Sequence, residues 1–243
     1  ASGLDYFWEN DSIALKTFFY GLTDTGEVTW VDSLNHDNLC IPKSVGVEME
    51  LLLDGTLLIT LNEWFFNGGD RLYWGKFTQD LDIIWQQCEL QNVNLASTAE
   101  GPNSSIFSLF RRSMAGGSGN QGVVLLNMNN SGEMQYLNLL NPWQLGDYSL
   151  HTALLVYNDS TIITGYCTYT YDPYEYTSSY ISVSDTLGNI RQEIVNTCLF
   201  CESPRKMIRT NDGKVVVIEE VNMYSRLSKY QFNEDNQLVA DSN

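Results

Sequence analysis

Residues able to do chemistry are few: five cysteines (Cys40, Cys88, Cys167, Cys198, Cys201) and two histidines (His36, His151) in 243 positions. Cys198-Leu199-Phe200-Cys201 has the CxxC spacing that brings two thiolates to one metal or sets one thiol to attack the other's disulfide. A single CxxC, with no second pair and no βαβ context, falls short of the four ligands a structural zinc site takes. The cysteines are therefore read first as candidate disulfide residues, ahead of buried thiols and of a zinc site completed by the histidines, and no metal is assigned. An odd count leaves at least one thiol over.

Carboxylates are abundant, and Glu63, Asp70, Asp172 and Glu202 are examples of candidates that nothing in their surroundings singles out. A glycosidase needs two of them facing each other about 5 to 9.5 Å apart, and no local pattern selects a pair. G-x-S-x-G, H-E-x-x-H and P-loop motifs are missing from the sequence. No catalytic residue and no cofactor is assigned.

Aromatic clusters are the stronger signal. Trp64-Phe65-Phe66, Trp143 with Tyr148, and the run Tyr169-Thr170-Tyr171-Asp172-Pro173-Tyr174-Glu175-Tyr176 combine flat rings with carboxylates. Such surfaces stack on sugars or pack against a protein. Trp64, Phe65, Phe66, Trp143, Tyr148, Tyr169, Tyr171, Tyr174 and Tyr176 are the candidate ligand-binding residues.

The elements that must position them follow from a repeat of about fifty residues. One turn signal recurs at Asn10-Asp11-Ser12, Asp54-Gly55, Asn103-Ser104-Ser105, Asn158-Asp159-Ser160 and Asn211-Asp212-Gly213. A second, a polar turn feeding a strand, recurs at Thr23 to Trp30, Gln79 to Trp85, Asn129 to Tyr136, Asp185 to Ile190 and, degenerately, Asn233 to Leu238. Between the turns lie apolar runs of strand length, among them 71–77 and 122–128, and no 3.6-residue apolar stripe persists.

Each unit reads strand A, tight turn, strand B, long loop, strand C, tight turn, strand D. The expected fold is all-β, a β-propeller of four-stranded antiparallel blades, with about five blades or a fragment of a larger ring. The whole chain, 1–243, is one repeat domain with units at about 1–38 (partial), 39–90, 91–140, 141–195 and 196–243. A long stacked sandwich is the other architecture. Too few residues separate Ser12 from Gly26 for two strands and a long loop, so the first unit is incomplete. In this topology the tight turns share one face, while the aromatic loops and all five cysteines fall on the other.

The composition is that of an ordered chain, with 43% hydrophobic, 12% aromatic and 18% charged residues. A formal net charge of -17 repels phosphate backbones and anionic lipid, so nucleic acid is excluded as a partner and direct membrane insertion is not expected. No apolar run approaches bilayer length.

Leu53-Asp54-Gly55-Thr56, Asn211-Asp212-Gly213-Lys214, Asp24-Thr25-Gly26-Glu27-Val28-Thr29-Trp30 and Asp185-Thr186-Leu187-Gly188-Asn189 together resemble the blades of secreted bacterial propeller-repeat proteins, including surface proteins exported with a C-terminal sorting domain. The resemblance covers about four-fifths of the chain and implies a secreted or cell-surface location. It also implies O-glycan attachment at Asp11-Ser12-Ile13, Asp32-Ser33-Leu34 and Asp185-Thr186-Leu187. Asp24 to Trp30 is similar to the blade signature of quinoprotein dehydrogenases as well, but its tryptophan returns only as Trp85.

The functional expectation is an extracellular, non-enzymatic binding or scaffolding propeller that engages a protein or glycan through its long-loop face. The alternatives are a carbohydrate-active enzyme, a glycoside hydrolase on a five-bladed propeller, and a structural subunit of a larger surface or secretion complex.

Overall fold

The computed structural model describes residues 2–9, 12–23, 25–35, 46–63, 71–91, 93–112, 122–142, 148–170, 176–198, 203–221 and 224–241. They form two compact units, Ala1–Asn94 and Leu95–Asn243. The first unit holds a three-stranded sheet, β1 (Ser2–Glu9), β2 (Ser12–Leu22) and β3 (Val28–Asn35), and a four-stranded one, β4 (Gly46–Leu51), β5 (Leu57–Glu63), β6 (Arg71–Phe77) and β7 (Ile83–Gln91). The second holds three four-stranded sheets, apart from Val93 and Asn94, the first two residues of the earliest of them. These are β8 (Val93–Glu100), β9 (Ile106–Arg112), β10 (Gly122–Met128), β11 (Met134–Pro142); β12 (Tyr148–Asn158), β13 (Thr161–Thr170), β14 (Tyr176–Ser184), β15 (Ile190–Cys198); and β16 (Ser203–Arg209), β17 (Val215–Val221), β18 (Tyr224–Phe232), β19 (Leu238–Ala240). The chain is all-β, and among the described residues helix is limited to one 3-10 turn at Pro102–Ser104. None of the described helical structure is long and apolar enough to cross a membrane.

Within every sheet the spatial order is the chain order, so each is an antiparallel meander, as the four-strand unit requires. Most inner strands of the four-stranded sheets are buried on both faces, β18 excepted, where Arg226, Leu227 and Lys229 are exposed. All seven residues of β10 are buried, as are 72–77 of β6 and 161–167 of β13, whereas β15 leaves Ile190, Arg191, Glu193 and Val195 exposed. Continuous burial of inner strands is what sheets stacked face to face produce.

Two cores of the second unit are shared between sheets. Phe107, Leu109, Val123 and Leu125 pack with Leu154, Ile162 and Tyr166, joining β8–β11 to β12–β15. Ile163, Ile181 and Val183 pack with Met207, Val217 and Leu238, joining β12–β15 to β16–β19. Gly165 permits the second contact, since a Cβ there would lie 2.4 Å from Met207 and 2.8 Å from Pro204.

The tight turns share one geometry. Starting at Thr23, Leu52, Thr78, Asn129, Asp185, Thr210 and Asn233, the first residue's N–H donates to the carbonyl four residues on, and its carbonyl accepts the N–H three residues on. The fourth residue takes a left-handed backbone: Gly26, Gly55, Gly132, Gly188 and Gly213 at φ +79° to +85°, Leu81 at 62° and Asn236 at 56°. This is the three-residue hairpin loop closed by a glycine-type bulge. Where the first residue is Asn, Asp or Thr its own side-chain oxygen accepts the turn's amides, as Asp185 Oδ1 does from Leu187 and Asn189 at 2.9 Å each.

One turn is reassigned. Asn10-Asp11-Ser12 is expected to be a first-type turn between strands A and B, yet Glu9 pairs with Ser12 at the end of the sheet opposite Thr23–Glu27, the tight turn that leads into β3, the last strand before strand A (β4) of the next sheet. The first sheet is therefore the B, C and D of the repeat. That is why the interval to Asp54 is shorter than the later ones.

Candidate ligand sites: two grooves and a tyrosine-rich sheet end

Of the aromatic residues singled out in the sequence, Trp64, Phe65, Phe66, Trp143, Tyr171 and Tyr174 lie outside the described residues. The backbone pairs two of the other three and places the third at the same sheet end on the alternate face. Tyr148 of β12 is the direct cross-strand neighbour of Tyr169 of β13, which in turn opposes Thr177 of β14 and, through it, Cys198 of β15. Tyr176 opposes Thr170, one position further out. Three tyrosines thus occupy one end of one sheet, the end that carries the long connections.

The cysteines separate. Cys88 is half of a disulfide, while Cys40 and Cys201 lie outside the described residues. Cys167, a candidate disulfide residue by sequence, is instead a buried thiol. It is 0% exposed in an inner strand, cross-strand from Ser179. Among the described residues no three His, Cys, Asp or Glu side chains converge as a metal would require.

At the tight-turn ends, side chains stitch one sheet of the second unit to the next. Tyr136, third residue of β11, donates its hydroxyl to the Thr186 carbonyl. Gln192, third residue of β15, donates Nε2 to the Leu238 carbonyl at 2.8 Å and accepts the Leu238 N–H at 2.7 Å. Tyr157, near the end of β12, donates to the Gly213 carbonyl at 2.7 Å, and Arg209 lies 4.7 Å over its ring while donating to its carbonyl. Burial, aided by the nearby Asp185 carboxylate, pushes the Tyr136 phenol well above its ordinary range, so it remains a donor.

Beside these stitches two grooves of about 430 Å³ open, one between β12–β15 and β16–β19, the other between β8–β11 and β12–β15. Buried Thr161 and Val183, the half-buried rings of Tyr157 and Phe232, and the exposed Arg191 and Asn236 line the first. Phe107, Asn127, Gln135, Tyr136, Asp159 and Leu187 line the second. The two are equivalent in the repeat: Arg191 is the second residue of β15 and Gln135 the second of β11. Polar rims over aromatic walls fit binding of a small polar ligand.

Sequence reasoning missed the grooves because it looked to long loops. The signal lay in the second turn motif, whose aromatic position in β11, Tyr136, is a stitching position and becomes Gln192 in the next sheet.

No known protein family matches the sequence, and no curated protein matches it. Solved structures do. A Bacteroides caccae protein of unknown function aligns over 93% of this chain and 67% of its own, at 13% identity and TM-score 0.48. A polysaccharide lyase, an ulvan lyase bound to -[GlcA(1-4)Rha3S]-, aligns over 97% of this chain and 69% of its own, at 9% identity and TM-score 0.55. A further structure of an ulvan lyase aligns over the same shares at 10% identity and TM-score 0.50. At these identities what is shared is the fold: this chain has a sheet-rich architecture similar to that of the lyase.

Proposed function

We propose that the sheets are blades of a β-propeller, complete or part of a larger ring, that binds a glycan outside the cell through the sheet ends carrying the long connections. The carrying observation is the pairing of Tyr148 with Tyr169, one position from Tyr176, at one end of β12–β14. Tyrosines at cross-strand positions of one sheet end suit the apolar faces of sugars. Likeness of fold to the polysaccharide lyase supports the propeller-like architecture and is compatible with a saccharide ligand. Two features support an exterior location: the disulfide at Cys88, which belongs to an oxidising compartment, and the acid excess.

Screening the chain on a glycan array, followed by titration of any glycan found, tests this reading. Tyr148→Ala with Tyr169→Ala is expected to weaken binding at least tenfold, while the two Phe variants, which keep the rings, bind as wild type does. Unchanged binding by the double Ala variant overturns the aromatic-end reading. Capture of a protein with no glycan bound turns the function to scaffolding in a larger complex.

A carbohydrate-active enzyme is the second reading, favoured by the fold of the lyase. Release of reducing ends from a bound polysaccharide would establish it, and binding without release would exclude it for that glycan.

A further inference from the structure

The groove between β12–β15 and β16–β19 lies at the sheet ends opposite Tyr148 and Tyr169, and its chemistry differs from that of its equivalent. It is preformed. Gln192 grips both backbone groups of Leu238, and Tyr157 is fixed by Gly213 and Arg209, so the two sheets that frame the space are already locked. At about 430 Å³ it falls within the roughly 300–1,000 Å³ of small-ligand pockets.

Arg191 supplies the positive charge, Asp235 being the other charged residue of the lining. Its side chain is 57% exposed, and its contact with Asp185 is loose, 3.9 Å. Asp185 is committed elsewhere: Oδ1 accepts two turn amides at 2.9 Å and Oδ2 accepts the Asn189 amide at 2.9 Å. The guanidinium fork therefore keeps donors for a carboxylate or sulfate, whose planar or tripodal oxygens it matches in pairs.

Hydroxyl recognition is available around it. Asn158 turns Oδ1 to the Ser160 N–H at 2.9 Å and hydroxyl at 3.1 Å, which points its amide donors away from its own turn, and Asp235 offers acceptors at the rim. The rings of Tyr157 and Phe232, 4.8 Å apart and tilted by 53°, give an apolar wall for a pyranose C–H face. In the equivalent groove Gln135 replaces Arg191, and Asp159 is the charged residue of the lining.

We propose that this groove binds an anionic saccharide unit, a sugar bearing a carboxylate or a sulfate, with Arg191 taking the anion and the Tyr157–Phe232 wall taking the ring. A net charge of -17 limits the ligand to one or two sugar units, since a long polyanion is repelled by the rest of the surface.

Titration of the full chain with galacturonate, galactose 6-sulfate and galactose, followed by amide chemical shifts, tests the site. Shifts at Arg191, Asn236 and Gln237 are expected with an anionic sugar, with galactose at least tenfold weaker. Whichever of the two anionic sugars binds names the group recognised. Arg191→Gln, which copies the equivalent groove, is expected to abolish the preference, a loss of tenfold or more for a charge-assisted pair. Gln135→Arg should create new shifts at Asn127 and Leu187. Tyr148→Ala with Tyr169→Ala should leave this binding unchanged, so the site stands or falls separately from the sheet-end reading. Equal binding of galactose, or wild-type affinity in Arg191→Gln, overturns the proposal.

Discussion

Lys76 is 3% exposed in the inner strand β6, where an ammonium persists only beside an anion. Asp54, in the β4–β5 turn, supplies it: Oδ2 lies 2.7 Å from Nζ, while Oδ1 accepts the Thr56 N–H at 3.0 Å and hydroxyl at 2.5 Å. The hydrogen bond from Lys76, followed by those from Thr56, holds the Asp54 carboxyl at about 2, below its usual 3.8. A folded-state value below the unfolded one means that this stabilisation is complete above about pH 4 and is lost as pH falls through about 2. Asp54→Asn is therefore expected to cost roughly 1 kcal/mol at neutral pH, because a side chain 36% exposed is screened by solvent, and to remove part of the acid sensitivity between pH 4 and 2. Urea midpoints of variant and wild type across pH 2 to 7 measure it. Parallel curves throughout would mean that the turn is held without the ion pair.

Among the elements, the third strand of each unit was the most legible in the sequence. Mostly apolar segments bounded by turns predict 71–77 and 122–128, and β6 and β10 begin and end there. Outer strands were less legible because only one face is covered, so β15 mixes Ile194 with exposed Arg191 and Glu193. The Asn10–Ser12 connection was misassigned because turn-forming residues mark a reversal without saying at which end of the sheet it lies; the hydrogen-bond pattern closing at Thr23–Glu27 decides that. The left-handed fourth turn position was hidden where Leu81 and Asn236 stand in place of glycine. Double-faced burial of inner strands has a direct consequence. Leu125, 0% exposed in β10, should cost about 2–5 kcal/mol when cut to Ala, whereas Ile190→Ala in β15, 41% exposed, should cost less than about 1. Similar losses in denaturant melts of the two variants would contradict the burial difference between inner and outer strands.

At the scale of the whole molecule, repetition is informative where it is broken. The third position of the last strand passes from Tyr136 to Gln192, and the contact it makes passes from one phenol donor to an amide that satisfies both backbone groups of Leu238. The aromatic position of β11 therefore reports a stitch between sheets, and its replacement in β15 is a change of stitch and not its loss. The candidate sites divide in the same way. Tyrosines at the long-connection end were visible as composition, whereas the grooves depend on which turn of one sheet meets which strand of the next, information that no single segment carries. Stacked sheets that contact mainly their neighbours should respond locally when one stitch is cut. Gln192→Leu keeps the size of the side chain but strands the N–H and carbonyl of Leu238, a change worth about 1–3 kcal/mol where such groups are buried. Leu238 is 1% exposed, and β19, only three residues long, pairs with β18 alone. Amide exchange at Val239 and Ala240 and at Lys229 to Phe232 is therefore expected to accelerate roughly tenfold or more in Gln192→Leu, while β10 amides keep their protection. Uniform acceleration across the second unit would show instead that its three sheets open as one cooperative body, and the stitch would then be a contribution to global stability and not a local clasp.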